Sequence, residues 1–191
     1  MTNNSSGTIS NCTNNITASS TSMTAGMARV SNGIIINSVN NGSLTGSAMV
    51  GGITAWNVGG EITNCINNGK IYSHYQFSNS TYGAGGIAGM ANSGNISNNT
   101  NIGTVEGSHR NVGGIIGQSA ASANNNINYG FVKGVNAVGG IIGLRYAGTV
   151  SNNFNSGVVN GTENVGCIVG LNNGGTISNN HYDKQMCGEE D

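Results

Sequence analysis

The chain has no proline, and its 191 residues include only one Trp, six Tyr and three Phe, six Lys or Arg and seven Asp or Glu. Set against 33 Gly, these scarcities do not describe an ordinary globular core. Nowhere do apolar residues run on for about 18 positions, so no membrane-spanning helix is expected. The few cations are scattered singly and the net charge is −1, which offers no basic patch to nucleic acid or acidic lipid. Neither H-E-x-x-H nor C-x-x-C occurs, and His74, His109 and His181 share no ligand spacing with Cys or carboxylates, so no metal or other cofactor is expected. Residues 1–18 show no charged segment leading into an apolar one and do not read as a secretory leader. Apolar positions never recur at helical spacing over three turns, which argues against helices.

What fills the chain instead is one repeated text. Over residues 138–161 it reads V-G-G-I-I-G-L-R-Y-A-G-T-V-S-N-N-F-N-S-G-V-V-N-G. The second half of the unit begins at Gly7, Gly33, Gly60, Gly94, Ala121, Gly148 and Gly175, at spacings of 26, 27, 34, 27, 27 and 27 residues. Four residues after each start stands Asn11, Asn37, Asn64, Asn98, Asn125, Asn152 or Asn179. The first half, V-G-G-I-x-G, recurs around Gly51-Gly52, Gly85-Gly86, Gly113-Gly114 and Gly139-Gly140, and more loosely at Gly26 and Gly166. Abundant Gly, Asn and Ser would suit a disordered tract, but such a tract has no reason to hold Ile and Asn at one offset in every copy.

Each unit carries three short apolar runs separated by Gly or Asn, and these read as strands. Connections of a few residues wind such strands into successive rungs. The expected fold is therefore all-β, a β-solenoid like a parallel β-helix, with about seven coils of 26–28 residues and three short strands per coil, in one unit over residues 1–191. Equivalent residues then stack about 4.8 Å apart. Ile53, Ile87, Ile115, Ile141 and Ile168 would line one face, Ile35, Ile62, Ile96, Val150 and Ile177 a second, and Leu44, Ile71, Val105, Val132 and Val159 a third, together making one continuous core. The Asn11 series is expected at a corner, as a structural ladder of side-chain amides in a backbone conformation that Asn tolerates. Cys12 and Cys65 fall at equivalent positions with Ser38 on the rung between them, too far apart for a disulfide, while the pairing of Cys167 and Cys187 stays open.

The unit at 138–161 and the last one, V-G-C-I-V-G-L-N-N-G-G-T-I-S-N-N, resemble GLUG-motif repeats. These occur in large secreted or cell-surface bacterial proteins, including adhesins and IgA-specific metallopeptidases. The resemblance covers nearly the whole chain and implies a surface repeat module, extracellular or at the cell surface, rather than the peptidase activity, whose zinc motif is absent. Ala121 in place of Gly, the Met27 copy and the longer third unit depart from the pattern.

That longer unit places an insertion at about residues 72–84, and it holds Tyr72, His74, Tyr75, Phe77 and Tyr82. Solenoid insertions often lie on a binding face, and aromatics stack on sugars or anchor partners. The same loop could also simply cover apolar surface of its own coil. Glu61, Glu106, Glu163 and Asp183 sit at different repeat offsets and form no evident facing pair. The leading expectation is a non-enzymatic structural or adhesive module that spaces, displays or stacks end to end, with further repeats or copies of itself as partners. The alternative is a module that binds a glycan or a host or cell-surface protein through the 72–82 loop. An ice-binding surface is less favoured, because the residues after the first Gly, Thr8, Ile34, Glu61, Asn95, Ser122, Thr149 and Thr176, are too irregular. A polysaccharide-active β-helix enzyme is disfavoured by the shortage of charge.

Overall fold

The computed structural model describes residues 2–4, 6–74 and 82–187. One coil, residues 136–160, shows how the repeat folds. Its strands are Asn136–Gly139, Ile142–Arg145, Thr149–Ser151, Phe154–Asn155 and Val159–Asn160. Each pairs in parallel with its counterparts one coil away: Val138 lies between Val112 and Val165, and Val150 between Ala123 and Ile177. Three sheets of seven strands and two of six result, a parallel β-solenoid of about six turns. The three apolar runs of the repeat are three sides of this coil. Two of them are cut by a corner, at Gly140-Ile141 and at Asn152-Asn153, so the sides resolve into five sheets. The one helical element described is a 3₁₀ turn, Gln185–Cys187.

The corner after Ser151 explains the invariant asparagine. Asn11, Asn37, Asn64, Asn98, Asn125, Asn152 and Asn179 all have φ between 52° and 57°, the left-handed region that Asn enters more readily than most residues. All seven are exposed, and the amide ladder expected of them runs elsewhere. It passes through the residue three further on: Asn14, Asn40, Asn67, Asn101 and Asn128 each donate from Nδ2 to Oδ1 of the next Asn up the stack, ending on Asn155, at 2.7 to 2.8 Å. A second ladder, one residue on, links Asn99, Asn126, Asn153 and Asn180 at 2.9 to 3.0 Å. At the same level in earlier coils stand Cys12, Ser38 and Cys65; the Cys12 amide donates to Ser38 Oγ, and both cysteines are free.

The Gly-Gly-hydrophobic-x-Gly text is a packing device. Strands 136–139 and 142–145 fold back on each other with almost no side chain between them. A Cβ on Gly143 would come within 2.5 Å of Val112 N, and one on Gly139 within 2.0 Å of Ile142 O. Gly140 faces the inner ladder, where an added Cβ would meet Asn155 Cγ at 2.4 Å, and Gly52, Gly86 and Gly114 face Asn67, Asn101 and Asn128 in the same way. The ladder therefore reaches across the coil and divides its interior. Ile35, Ile53, Ile62, Ile87, Ile115 and Ile141 belong to one apolar cluster, while Leu44, Ile71, Val105, Val132 and Val159 pack with Val50, Val112 and Val138 in another. The single continuous core expected from the repeat is instead two main columns separated by hydrogen-bonded amides, with a third, smaller cluster of Ala25, Met49 and Ala55.

Candidate functional site: the surface around Tyr72

The insertion leaves the coil after Ile71–Ser73 and the coil resumes at Ala84–Gly85, which pairs with Val50–Gly51 as though nothing had intervened. Tyr75 and Phe77 lie outside the described residues. Of the other aromatics in the candidate loop, Tyr72 and His74 are half-buried, with ring centroids 6.2 Å apart, and Tyr82 is exposed at the far end, its carbonyl accepting from Asn111 Nδ2.

Side chains alternate across a strand, so Ile71 points into the core and Tyr72 points out. Tyr72 is in register with Thr45 on one side and Glu106 on the other, and Glu106 is followed by Lys133 and then Asn160. Lys70 Nζ lies 2.9 Å from Glu106 Oε2 and 5.9 Å from the centre of the Tyr72 ring. Two shallow hollows adjoin there. One, of about 340 Å³, is lined by Ser43, Thr45, Lys70, Tyr72 and Glu106. The other, of about 300 Å³, is lined by Tyr72, Glu106, Lys133, Val135 and the backbone between. The sequence pointed to Tyr72 and His74 but not to Lys70, Glu106 and Lys133. Their signal was present as arithmetic, since positions 72, 106 and 133 share one repeat offset once the 34-residue unit is counted.

Other polar groups that could have made a site are used structurally. Arg145 is fully buried and donates to Asn172 Oδ1 at 2.9 Å, Gly148 O at 2.6 Å and Thr176 O at 2.9 Å, tying the last two coils together. Its burial holds the guanidinium below its usual pKa. Glu61, Glu106 and Glu163 stand in three different columns and Asp183 follows the last strand, and among the described residues no group of three His, Cys, Asp or Glu could hold a metal ion. Among the same residues no helix is long and apolar enough to cross a membrane.

No family model and no curated protein matches the chain. Among solved structures, the chain is similar to one described as a "putative immunoglobulin A1 protease" from Bacteroides ovatus, with a TM-score of 0.70 and 21% sequence identity, over 91% of this chain and 67% of the other. At that identity the likeness shows the fold, the parallel β-solenoid, and nothing of activity.

Proposed function

We propose that this chain is a non-enzymatic stretch of an extracellular or cell-surface β-solenoid, which spaces or displays other parts of a surface protein and meets further repeats or copies of itself at its ends. One observation carries this reading. Register is kept from coil to coil across a 34-residue unit as well as 27-residue ones, so nearly every column of side chains serves stacking, and the charged residues needed for chemistry are few and dispersed. The Cys167–Cys187 disulfide, with Cα atoms 5.5 Å apart, suits an oxidising compartment. The resemblance of the repeats to GLUG motifs points the same way. The neighbour's name is that of a peptidase, yet the present repeats lack a zinc motif, and the reading here is a repeat module without that activity.

The test is to label intact source cells with an antibody raised against the folded chain and to map the cysteines of the native protein. Surface labelling with Cys167 and Cys187 oxidised is the expected result. Labelling only after permeabilisation, with both thiols reduced, would overturn the assignment.

A further inference from the structure

Beyond a display role, we propose that the two hollows flanking Tyr72 are adjoining subsites of one saccharide-binding site, and that the saccharide it takes is acidic. Tyr72 and Glu106 line both hollows, so the aromatic side chain stands where the two adjoin and offers ring surface to a sugar there, with the Lys70 ammonium over the ring at 5.9 Å. Each hollow, at about 340 and 300 Å³, is at the small end of the range for ligand sites, the scale of a single sugar ring.

Polar chemistry is arranged at the rims. The Lys70 ammonium and Glu106 carboxylate face each other at 2.9 Å, and each keeps capacity beyond that contact: two further N–H donors on one, several acceptor sites on the other. Ser43 and Thr45 add hydroxyls on the same side. Such a mixture of donors and acceptors beside an aromatic ring matches a sugar, which presents hydroxyls at its edge and C–H groups on its face. The charge of the site selects among sugars. Glu106 neutralises Lys70, but Lys133, exposed and one rung beyond Glu106, has no carboxylate partner among the described residues. Taken together, Lys70, Glu106 and Lys133 leave the paired hollows one positive charge in excess, on Lys133, and a uronate, sialate or sulfate group is its complement. Tyr72 and Lys133 are two rungs apart, roughly 9.6 Å, so the ligand must extend along the solenoid axis over at least two sugar units.

The experiment uses the full chain on a panel of immobilised glycans bearing uronate, sialate or sulfate groups, beside neutral glycans of the same backbones. Retention of acidic members is expected, falling as salt is raised. Tyr72→Ala and Lys133→Ala should each weaken it by about tenfold, while Tyr72→Phe, which keeps the ring, and Tyr146→Ala, at an exposed aromatic outside these hollows, should leave it unchanged. Thermal melts matching that of the unsubstituted chain separate a lost site from a lost fold. Failure to retain any acidic glycan would overturn the proposal. So would equal retention of the neutral counterparts, or binding that survives both alanine substitutions. None of these outcomes bears on surface display, which rests on cell labelling.

Discussion

Asn125 and Asn152 turn a corner in the left-handed conformation with their side chains exposed. Asn128 is buried, donates to Asn155 Oδ1 and Gly130 O, and accepts from Asn101 Nδ2. Asn128→Leu removes all of these bonds and leaves neighbouring amides short of partners, a loss on the order of 3 kcal/mol. Asn173→Ala, at an exposed position, should cost no more than about 0.5 kcal/mol. Chemical denaturation of the two variants checks this, and equal midpoints would contradict the ladder. The repeat made a periodic asparagine stack legible but put it at the invariant position, because a residue with positive φ resets the in-and-out alternation of side chains on which such reasoning depends. The thiols illustrate the same inner and outer distinction. Burial pushes Cys65 up to about 11, against a weaker lowering by backbone hydrogen bonding at Ser38 and Thr63, so its thiolate is scarce at neutral pH. Alkylation of the folded protein at about pH 8 should label exposed Cys12 and leave Cys65 until the chain unfolds. The unfolded thiol ionises near its ordinary value of 9.0 and the folded one only near 11, so whatever stability this site contributes is intact below about pH 9 and is lost as pH climbs toward 11.

At the scale of the strand, the glycines decide how the coil is shaped. Gly143 lets the strand Ile142–Arg145 lie against the backbone of Arg110–Gly113 and Asn136–Gly139, where a methyl group would stand 2.5 Å from Val112 N and 2.7 Å from Ala137 O. Backbone on both sides cannot give way as a flexible side chain can. Gly143→Ala should therefore destabilise the protein by about 3 kcal/mol or more. Gly7→Ala meets only the Asn4 carboxamide oxygen at 3.2 Å and should cost far less. Thermal melts of the pair make the comparison, and similar midpoints would show that the two sheets can separate freely. The period, the all-β class and the three apolar runs were all readable from the chain, since a stacked rung forces the same residue type to the same offset. The cutting of two of the three runs, which makes five sheets out of three sides, was not readable, because a Gly-Gly or Asn-Asn corner looks in sequence like the middle of one strand. The site followed the same rule: Tyr72 was conspicuous as part of an aromatic insertion, while Lys133, 61 residues later, becomes its neighbour only through the coil's register.

At the scale of the whole solenoid, the first and last coils described present unlike edges. In the first coil, Thr2–Asn4, Thr8–Ser10, Thr13–Asn14 and Ala18–Ser19 each pair with a strand on one side only among the described residues. At the other end, Val169–Asn172, Thr176–Ser178 and His181–Tyr182 are likewise last in their sheets. There, however, the final strand of the remaining side, Val159–Asn160, is met by the 3₁₀ turn Gln185–Cys187. Cys187 packs on its apolar cluster, lies 3.7 Å from the last amide of the inner ladder at Asn155, and is pinned by the disulfide to Cys167. Unpaired parallel edges invite another copy to continue the stack, and a head-to-tail contact of this kind does not close. The 191-residue chain should accordingly grow in scattering mass with concentration, weakly while the disulfide holds the turn across one side of the edge. Dithiothreitol, or Cys187→Ser, should release that turn and strengthen association. Lysines placed on the opposite edge by Thr8→Lys with Thr13→Lys, both exposed positions, should suppress it without altering the circular dichroism of the fold. Light scattering over a concentration series, with and without reductant, decides the matter. A particle that stays monomeric under both conditions would mean that these edges do not serve as templates for a second solenoid.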